Sequence, residues 1–184
     1  MRIIAGEARG RKIEAPEGKH TRPTLDRVRE NIFNMLQNDI PYSRVLDLFA
    51  GSGALSLEAL SRGALSAIMV DSDRGASAVQ KKNTQTLRYS DRVKIYCCDW
   101  TTALKAFQLE SFQFDVVFLD PPYAMTDLRA VFTALIPFVH NRTLIVVEHE
   151  SGSDILVPDH FGIVKNRSWG YCAATVYCMF KEGE

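Results

Sequence analysis

The sequence predicts an α/β fold. It reads as a mostly parallel seven-stranded sheet with helices on both faces, a C-terminal antiparallel hairpin and a small N-terminal β-hairpin. Three observations predict it. Short apolar runs of strand length alternate with amphipathic stretches of helical length along the chain. Those runs are apolar nearly throughout, as strands covered on both faces must be. The last stretch, 161–181, alternates about Gly170 and reads as an antiparallel hairpin.

The elements follow in order. RIIAG and RKIEA flank the turn-like EARG, so residues 2–15 read as a hairpin. Thr24 has the chemistry of a helix N-cap. Leu25, Val28, Ile32, Met35 and Leu36 recur at helical spacing, which predicts an amphipathic helix over 25–38. RVLDLFA, 44–50, is a buried strand, and Gly51-Ser52-Gly53 opens a helix over 54–62 that Gly63 ends. AIMVD, 67–71, is the second strand and 73–86 the second helix of the alternation. Residues 93–98 form the third strand and DVVFL, 115–119, the fourth. Thr126 caps a helix over 127–138, and TLIVVE, 143–148, is the fifth strand. No linker interrupts the chain. The 184 residues read as one domain, with 1–23 a basic extension on a core over 24–184.

Composition narrows the classes. Apolar residues make 46% and charged residues 24%, which excludes disorder, collagen and a coiled-coil rod. No apolar run approaches the roughly 18 residues of a membrane span. The start MRIIAGEARGRKI carries no secretory h-region, so a cytoplasmic protein without membrane attachment is expected. Cys97, Cys98, Cys172 and Cys178 lack ligand spacing and read as buried reduced thiols. The four histidines are scattered, and no metal is expected. The 22 basic and 22 acidic side chains balance, but residues 1–29 hold eight basic and four acidic ones. A basic edge on an acidic body suits a polyanion. A solvated surface hairpin would look the same.

Four acids close successive strands, where ligands of such sheets bind. The first, Asp47, precedes Phe49-Ala50-Gly51-Ser52-Gly53. The glycines let a ligand approach the backbone at a helix N-terminus. The dinucleotide fingerprint would place Gly or Ala where Ser56 stands, and it has no acid inside the strand. Asp47 would repel a pyrophosphate and favour a cation; a turn-capping role is the plainer alternative. The second, Asp71, stands about 20 residues on and can accept ribose hydroxyls. Asp73 is better placed to cap the next helix. The third, Asp99, with Trp100 beside it, could hold an adenine amino group or cap a helix. The fourth begins Asp120-Pro121-Pro122-Tyr123. Two prolines remove amide donors and leave an acceptor-rich edge suited to an exocyclic amino group. Tyr123 can stack on an extruded base. Glu148 closes the fifth strand and reads as structural.

This order of motifs resembles the class I S-adenosylmethionine-dependent amino-methyltransferases, a Rossmann-like fold. RIIAGEARGRKIEAP, TRPTLDRVRENIFNML, VLDLFAGSGALSLEALSRGA and FDVVFLDPPY resemble the bacterial small-subunit ribosomal RNA methyltransferase D family. The resemblance runs end to end. It implies methylation of the N2 amino group of one guanine in 16S rRNA, free or in the assembling small subunit, with S-adenosylmethionine as cofactor. It implies cofactor contacts at Asp47, Gly51, Gly53, Asp71 and Asp99, with Phe49, Ala50, Ser72 and Trp100 beside them in the chain. It implies target contacts at Asp120, Pro121, Pro122 and Tyr123. One departure is Asp71, where the family pattern has Glu.

Arg9, Arg11, Lys12, Arg22, Arg27 and Arg29 are then expected to hold phosphates beside the target. Two other readings remain: a DNA adenine-N6 methyltransferase, and a nucleotide-binding module without chemistry. The first usually needs a base-recognition domain that this chain has little room for. The second has no use for an intact DPPY. A nicotinamide dehydrogenase fits less well, given Asp47 and Ser56.

Overall fold

The computed structural model describes residues 1–16 and 23–180. Its elements are α1 (Pro23–Met35), β1 (Arg44–Asp47), α2 (Ala54–Ser61), β2 (Ser66–Asp71), α3 (Arg74–Leu87), β3 (Val93–Cys97), α4 (Trp100–Phe107), β4 (Val116–Leu119), α5 (Arg129–Leu135), β5 (Leu144–Glu150), β6 (Phe161–Trp169) and β7 (Cys172–Met179). The strands form one seven-stranded sheet in the order β3-β2-β1-β4-β5-β7-β6. β1 to β5 are parallel, and β7 runs antiparallel to both β5 and β6. This is the Rossmann-like α/β methyltransferase architecture.

Successive strand side chains alternate between two apolar layers, as the pleat requires. Val45, Met69, Phe118 and Val146 face one core with Phe33, Leu57 and Leu87 of α1–α3. Leu46, Ile68, Val117 and Val147 face the other with Phe107 and Phe132 of α4 and α5. The rings of Phe33 and Phe118 lie 5.7 Å apart and tie α1 to the sheet. Phe107 is fully buried and packs edge-on against Tyr96, Phe112 and Phe138. Burial of a side chain of that size stabilises by about 1.5–3 kcal/mol.

The N-terminal segment follows a hairpin course with almost no ladder. Its strand pairing is the single bridge Arg2↔Lys12. The reason is where the amides go. Ile4 and Ala5 donate to the Glu58 carboxylate at 2.8 and 2.9 Å, and Ala8 donates to Ser61 Oγ at 3.0 Å. α2 thus takes amides at the turn end of the hairpin, while the amides of Ile3, Gly10 and Ile13 still donate across it to the carbonyls of Arg11, Ile3 and Met1. Ile3, Ala8 and Ile13 enter the core below it. Gly6, at φ +82°, sits so close that a Cβ would meet the Ser61 carbonyl oxygen at 1.8 Å.

Other expectations need correction. α1 begins at Pro23, so Thr24 lies inside the helix rather than ahead of it. The helix expected over 127–138 is shorter, Arg129–Leu135 followed by one 3-10 turn, and Thr126 is not its cap. A parallel bridge between Asp127 and Leu156 keeps the chain extended up to that point. α4 was foreshadowed only by Asp99 as a possible helix cap and had been given no range. The four cysteines are free, as expected, but only Cys172 is buried and Cys97 is exposed. No helix among the described residues is long and apolar enough to cross a membrane.

Candidate active site

The strand order reverses between β1 and β4, which opens a crevice at their carboxyl ends. Asp47, Asp71, Asp120 and Glu148 each stand two residues past a side chain of the α1–α3 core, namely Val45, Met69, Phe118 and Val146. Period-two alternation therefore brings all four acids to the same face of the sheet. Asp120 and Glu148 line the crevice together with Arg29 and Phe49 to Ser52, and with Ala15 and Pro16 of the N-terminal segment.

Asp47 lies beneath the loop and is 1% exposed. Its Oδ2 accepts from Ser56 Oγ at 2.9 Å. Its Oδ1 is buried with no hydrogen-bond partner among the described residues. Burial pushes the carboxyl up to about 7, against the Ser56 hydrogen bond, and the nearby Asp120 and Asp71 charges add to it. A buried acid with a vacant acceptor, ringed by other acids, has the electrostatics of a cation site.

The loop after β1 is held at several points. Ala50 N donates to Val70 O at 3.0 Å and Gly51 N to Asp71 Oδ2 at 2.7 Å. Gln80 Nε2 and Asn83 Nδ2 on α3 donate to the carbonyls of Gly51 and Ser52. Gly53 turns into α2 at φ +78°, and a Cβ there would approach Met69 Sδ to 2.8 Å. Asp71 Oδ1 also accepts from Asp73 N at 2.9 Å, while Asp73 caps α3 through Gly75 N and Ala76 N. Ser72, between the two acids, is exposed.

Asp99 stands at the end of β3, two strands from Asp47. It caps α4, accepting from Thr102 N at 3.0 Å and from the hydroxyls of Thr101 and Thr102. The two hydroxyls hold it well below the usual carboxylate range. The capping alternative is thus realised, and the carboxylate remains exposed. Trp100 packs half-buried against the second core.

Beyond β4, Asp120 is exposed at the crevice and Pro121 is buried. Met125 N donates to Pro122 O at 2.7 Å and closes the turn. Tyr123 is 47% exposed, and its hydroxyl lies 3.3 Å from Cys172 Sγ. Burial, the Cys172 contact and the Glu148 and Asp120 charges push its phenol up, so it stays neutral.

Sequence reasoning gave two crevice residues other roles. Glu148 was read as structural. It is 9% exposed, and burial with the Asp120 charge pushes it up to about 8, against the pull of Arg29. The phase of TLIVVE carried the signal, since Glu148 stands two residues past Val146. The expectation for Arg29 needs correction. It is 4% exposed rather than a surface phosphate contact. Nη2 donates to Arg2 O at 2.5 Å and Asp26 Oδ1 at 3.0 Å, and Nε lies 3.8 Å from Glu58 Oε2.

The other basic residues divide. Arg11 donates to the Thr86 and Leu87 carbonyls at the carboxyl end of α3, a structural task. Arg9, Lys12 and Arg27 are exposed. Arg9 and Arg27 line one open groove with Arg2, interleaved with Asp26 and Glu30. Arg22 lies outside the described residues.

A family model described as conserved hypothetical protein 95 matches residues 1–178. Ribosomal RNA small subunit methyltransferase D of Escherichia coli K12 is 35% identical over 187 residues, covering 100% of this chain and 92% of its own. The chain belongs to the small-subunit rRNA methyltransferase D family. A Bacillus subtilis protein named as a candidate rRNA methyltransferase is 37% identical over 182 residues, covering 96% of this chain and 98% of its own. A solved Escherichia coli structure, described as a candidate methyltransferase, matches at TM-score 0.81 and 35% identity over 97% of each chain. The methyltransferase D resemblance thus takes in the N-terminal segment as well as the sheet.

Proposed function

We propose that this methyltransferase D family member methylates the exocyclic N2 amino group of one guanine in 16S rRNA, free or within the assembling small ribosomal subunit. Its methyl donor is S-adenosylmethionine. When bound, the donor supplies an electrophilic methyl on a sulfonium and keeps the sulfur electron pair as the bond breaks. The observation that carries the reading is that Asp120 lines one crevice with the Phe49–Ser52 loop, beneath which Asp47 lies buried and half-satisfied.

The residues divide the work. Asp47 offers its vacant Oδ1 to the cationic end of the donor, a fit that its burial among acids supports. Gly51 and Gly53 let the donor approach the backbone. Asp71 steadies that loop through Gly51 N and retains lone pairs for ribose hydroxyls. Phe49, Ala50, Ser72, Asp99 and Trp100 extend the same donor site along β1 to β3. Asp120 and the Pro121 carbonyl accept the two N–H bonds of the target amine. That draws the nitrogen lone pair out of conjugation and aims it at the methyl. Pro122 stiffens the turn, and Tyr123 stacks on the base. Positioning and charge placement supply most of the rate. Arg9, Lys12 and Arg27 hold RNA phosphates, a task carried out in the cytoplasm.

The test uses labelled S-adenosylmethionine with unmodified 16S rRNA, small subunits or duplex DNA, followed by digestion to nucleosides. Label in N2-methylguanosine from either RNA substrate is expected. Label in N6-methyladenine would overturn the target, and cofactor binding without label in any substrate would overturn the chemistry.

A further inference from the structure

We infer that Glu148 selects the target base, accepting the N1–H of guanine beside the amino group that Asp120 holds. The inference rests on the guanine reading above and deepens it. β4 and β5 are parallel neighbours, and Leu119 pairs with Val147. Asp120, just past the end of β4, and Glu148 in β5 follow that pair, so strand spacing of about 4.8 Å and period-two alternation bring them side by side on the same face. Both line the crevice.

Glu148 is a largely buried carboxylate on the crevice wall that makes no hydrogen bond among the described residues. The influences on it are burial, the Asp120 charge and the Arg29 charge. An acceptor on the crevice wall with no protein donor among the described residues is available to a donor that arrives with the ligand. Burial and the Asp120 charge push the carboxyl up to about 8 in the ligand-free protein and Arg29 pulls the other way, so the discrimination belongs to the ionised carboxylate and is assayed above about pH 8.

Guanine presents N1–H and N2–H₂ as adjacent donors on either side of one bond angle. Adenine and cytosine also carry an amino group, but the ring nitrogen beside it is an acceptor. Two neighbouring carboxylates satisfy the guanine edge. When Glu148 is ionised they leave adenine N1 or cytosine N3 facing an oxygen with no proton between them. The wrong bases therefore fail although each offers an amine to Asp120.

The target nucleotide is first mapped with unmodified RNA. RNA carrying 2-aminopurine at that position is then assembled by ligation. 2-Aminopurine keeps the N2 amine but has an unprotonated N1. The wild-type enzyme should methylate it at least about 100-fold more slowly than guanine, since a site built around a donor rejects the analogue lacking it. In Glu148→Gln the carboxamide can accept from N1–H or, turned over, donate to a bare N1. The guanine to 2-aminopurine rate ratio should then collapse to about fivefold or less. Loss of O6 alone would penalise both enzymes equally. A wild-type enzyme that takes both bases equally overturns the inference without any variant. So does a folded Glu148→Gln enzyme, checked by its melting curve, that keeps the wild-type ratio. Absence of label at guanine N2 in the unmodified RNA overturns the guanine reading itself, and so is told apart from both.

Discussion

Arg29 Nε lies 3.8 Å from Glu58 Oε2, and both side chains are buried. The same carboxylate receives the amides of Ile4 and Ala5 and the guanidinium of Arg62 at 2.8 Å. One acid on α2 thereby joins the N-terminal segment, the crevice arginine and its own helix end. Removing it would strand two amides and a buried cation. Glu58→Ala should lose about 3–5 kcal/mol of stability, the usual cost of leaving one partner of a buried pair. Urea denaturation checks this, and a loss under about 1 kcal/mol, the scale of an exposed ion pair, would contradict it.

Asp71 ties the glycine loop through Gly51 N and the start of α3 through Asp73 N. Asp71→Ala should weaken S-adenosylhomocysteine binding by about 10–100-fold, on the scale of one to two lost hydrogen bonds to a charged group. Asp71→Glu should recover part of it. Calorimetric titration gives the numbers, and an unchanged Kd for the alanine variant removes Asp71 from the donor site.

Stability should fall as pH rises through neutrality. Asp47 and Glu148 are carboxyls whose folded values, about 7 and about 8, lie above their ordinary 3.8 and 4.5. The native state therefore holds protons that the unfolded chain has released. Their contribution is fully present below about pH 4 and is lost as pH climbs through 7 to 8. The ligand-free protein should melt at least about 2–4 °C lower at pH 8.5 than at pH 5, a shift of about 1 kcal/mol or more. Asp47→Asn should flatten that slope. Melting curves across the range test both statements, and a Tm that rises with pH would contradict them.

RNA affinity should depend on salt through a few surface cations. Replacing Arg9, Lys12 and Arg27 together by Ala should reduce the slope of log K against log salt by about 2–3, if each neutralises one phosphate. Arg11→Ala should leave that slope nearly unchanged, because its guanidinium serves the end of α3. Filter binding of 16S rRNA at several salt concentrations separates the two. Equal slopes for the triple variant and the wild type would remove the N-terminal face from the RNA interface.

The alternation of strands and helices and the glycine and proline turns were legible because their signals are local. DLFAGSG and DPPY each join an apolar strand to its own turn within a few residues. Asp73 as a cap and Asp47 as an interior acid could be read the same way. What escaped depends on partners far along the chain. Arg29 looks like any basic residue on an amphipathic helix until Glu58 is folded beneath it. Arg11 finds its carbonyls on α3. The N-terminal hairpin keeps a few cross-chain bonds, but Glu58 and Ser61 take the amides of Ile4, Ala5 and Ala8 toward its turn. Glu148 was half legible, since its face follows from alternation but its neighbour follows only from β4 lying beside β5. α4 was missed because WTTALKAF is eight residues with paired threonines, and its clearest sign was the Asp99 cap.

The central claim is that Asp120 prepares the target amine and does not serve the donor. Its most direct test is single-turnover methyl transfer to 16S rRNA by Asp120→Ala, with S-adenosylhomocysteine affinity measured on the same protein. The account predicts a rate lowered by about 10³ or more, the scale of losing a preorganised polar contact made in the transition state, and a Kd within about threefold of wild type. A near-normal rate would contradict the account, as would a loss that appears wholly as weaker cofactor binding.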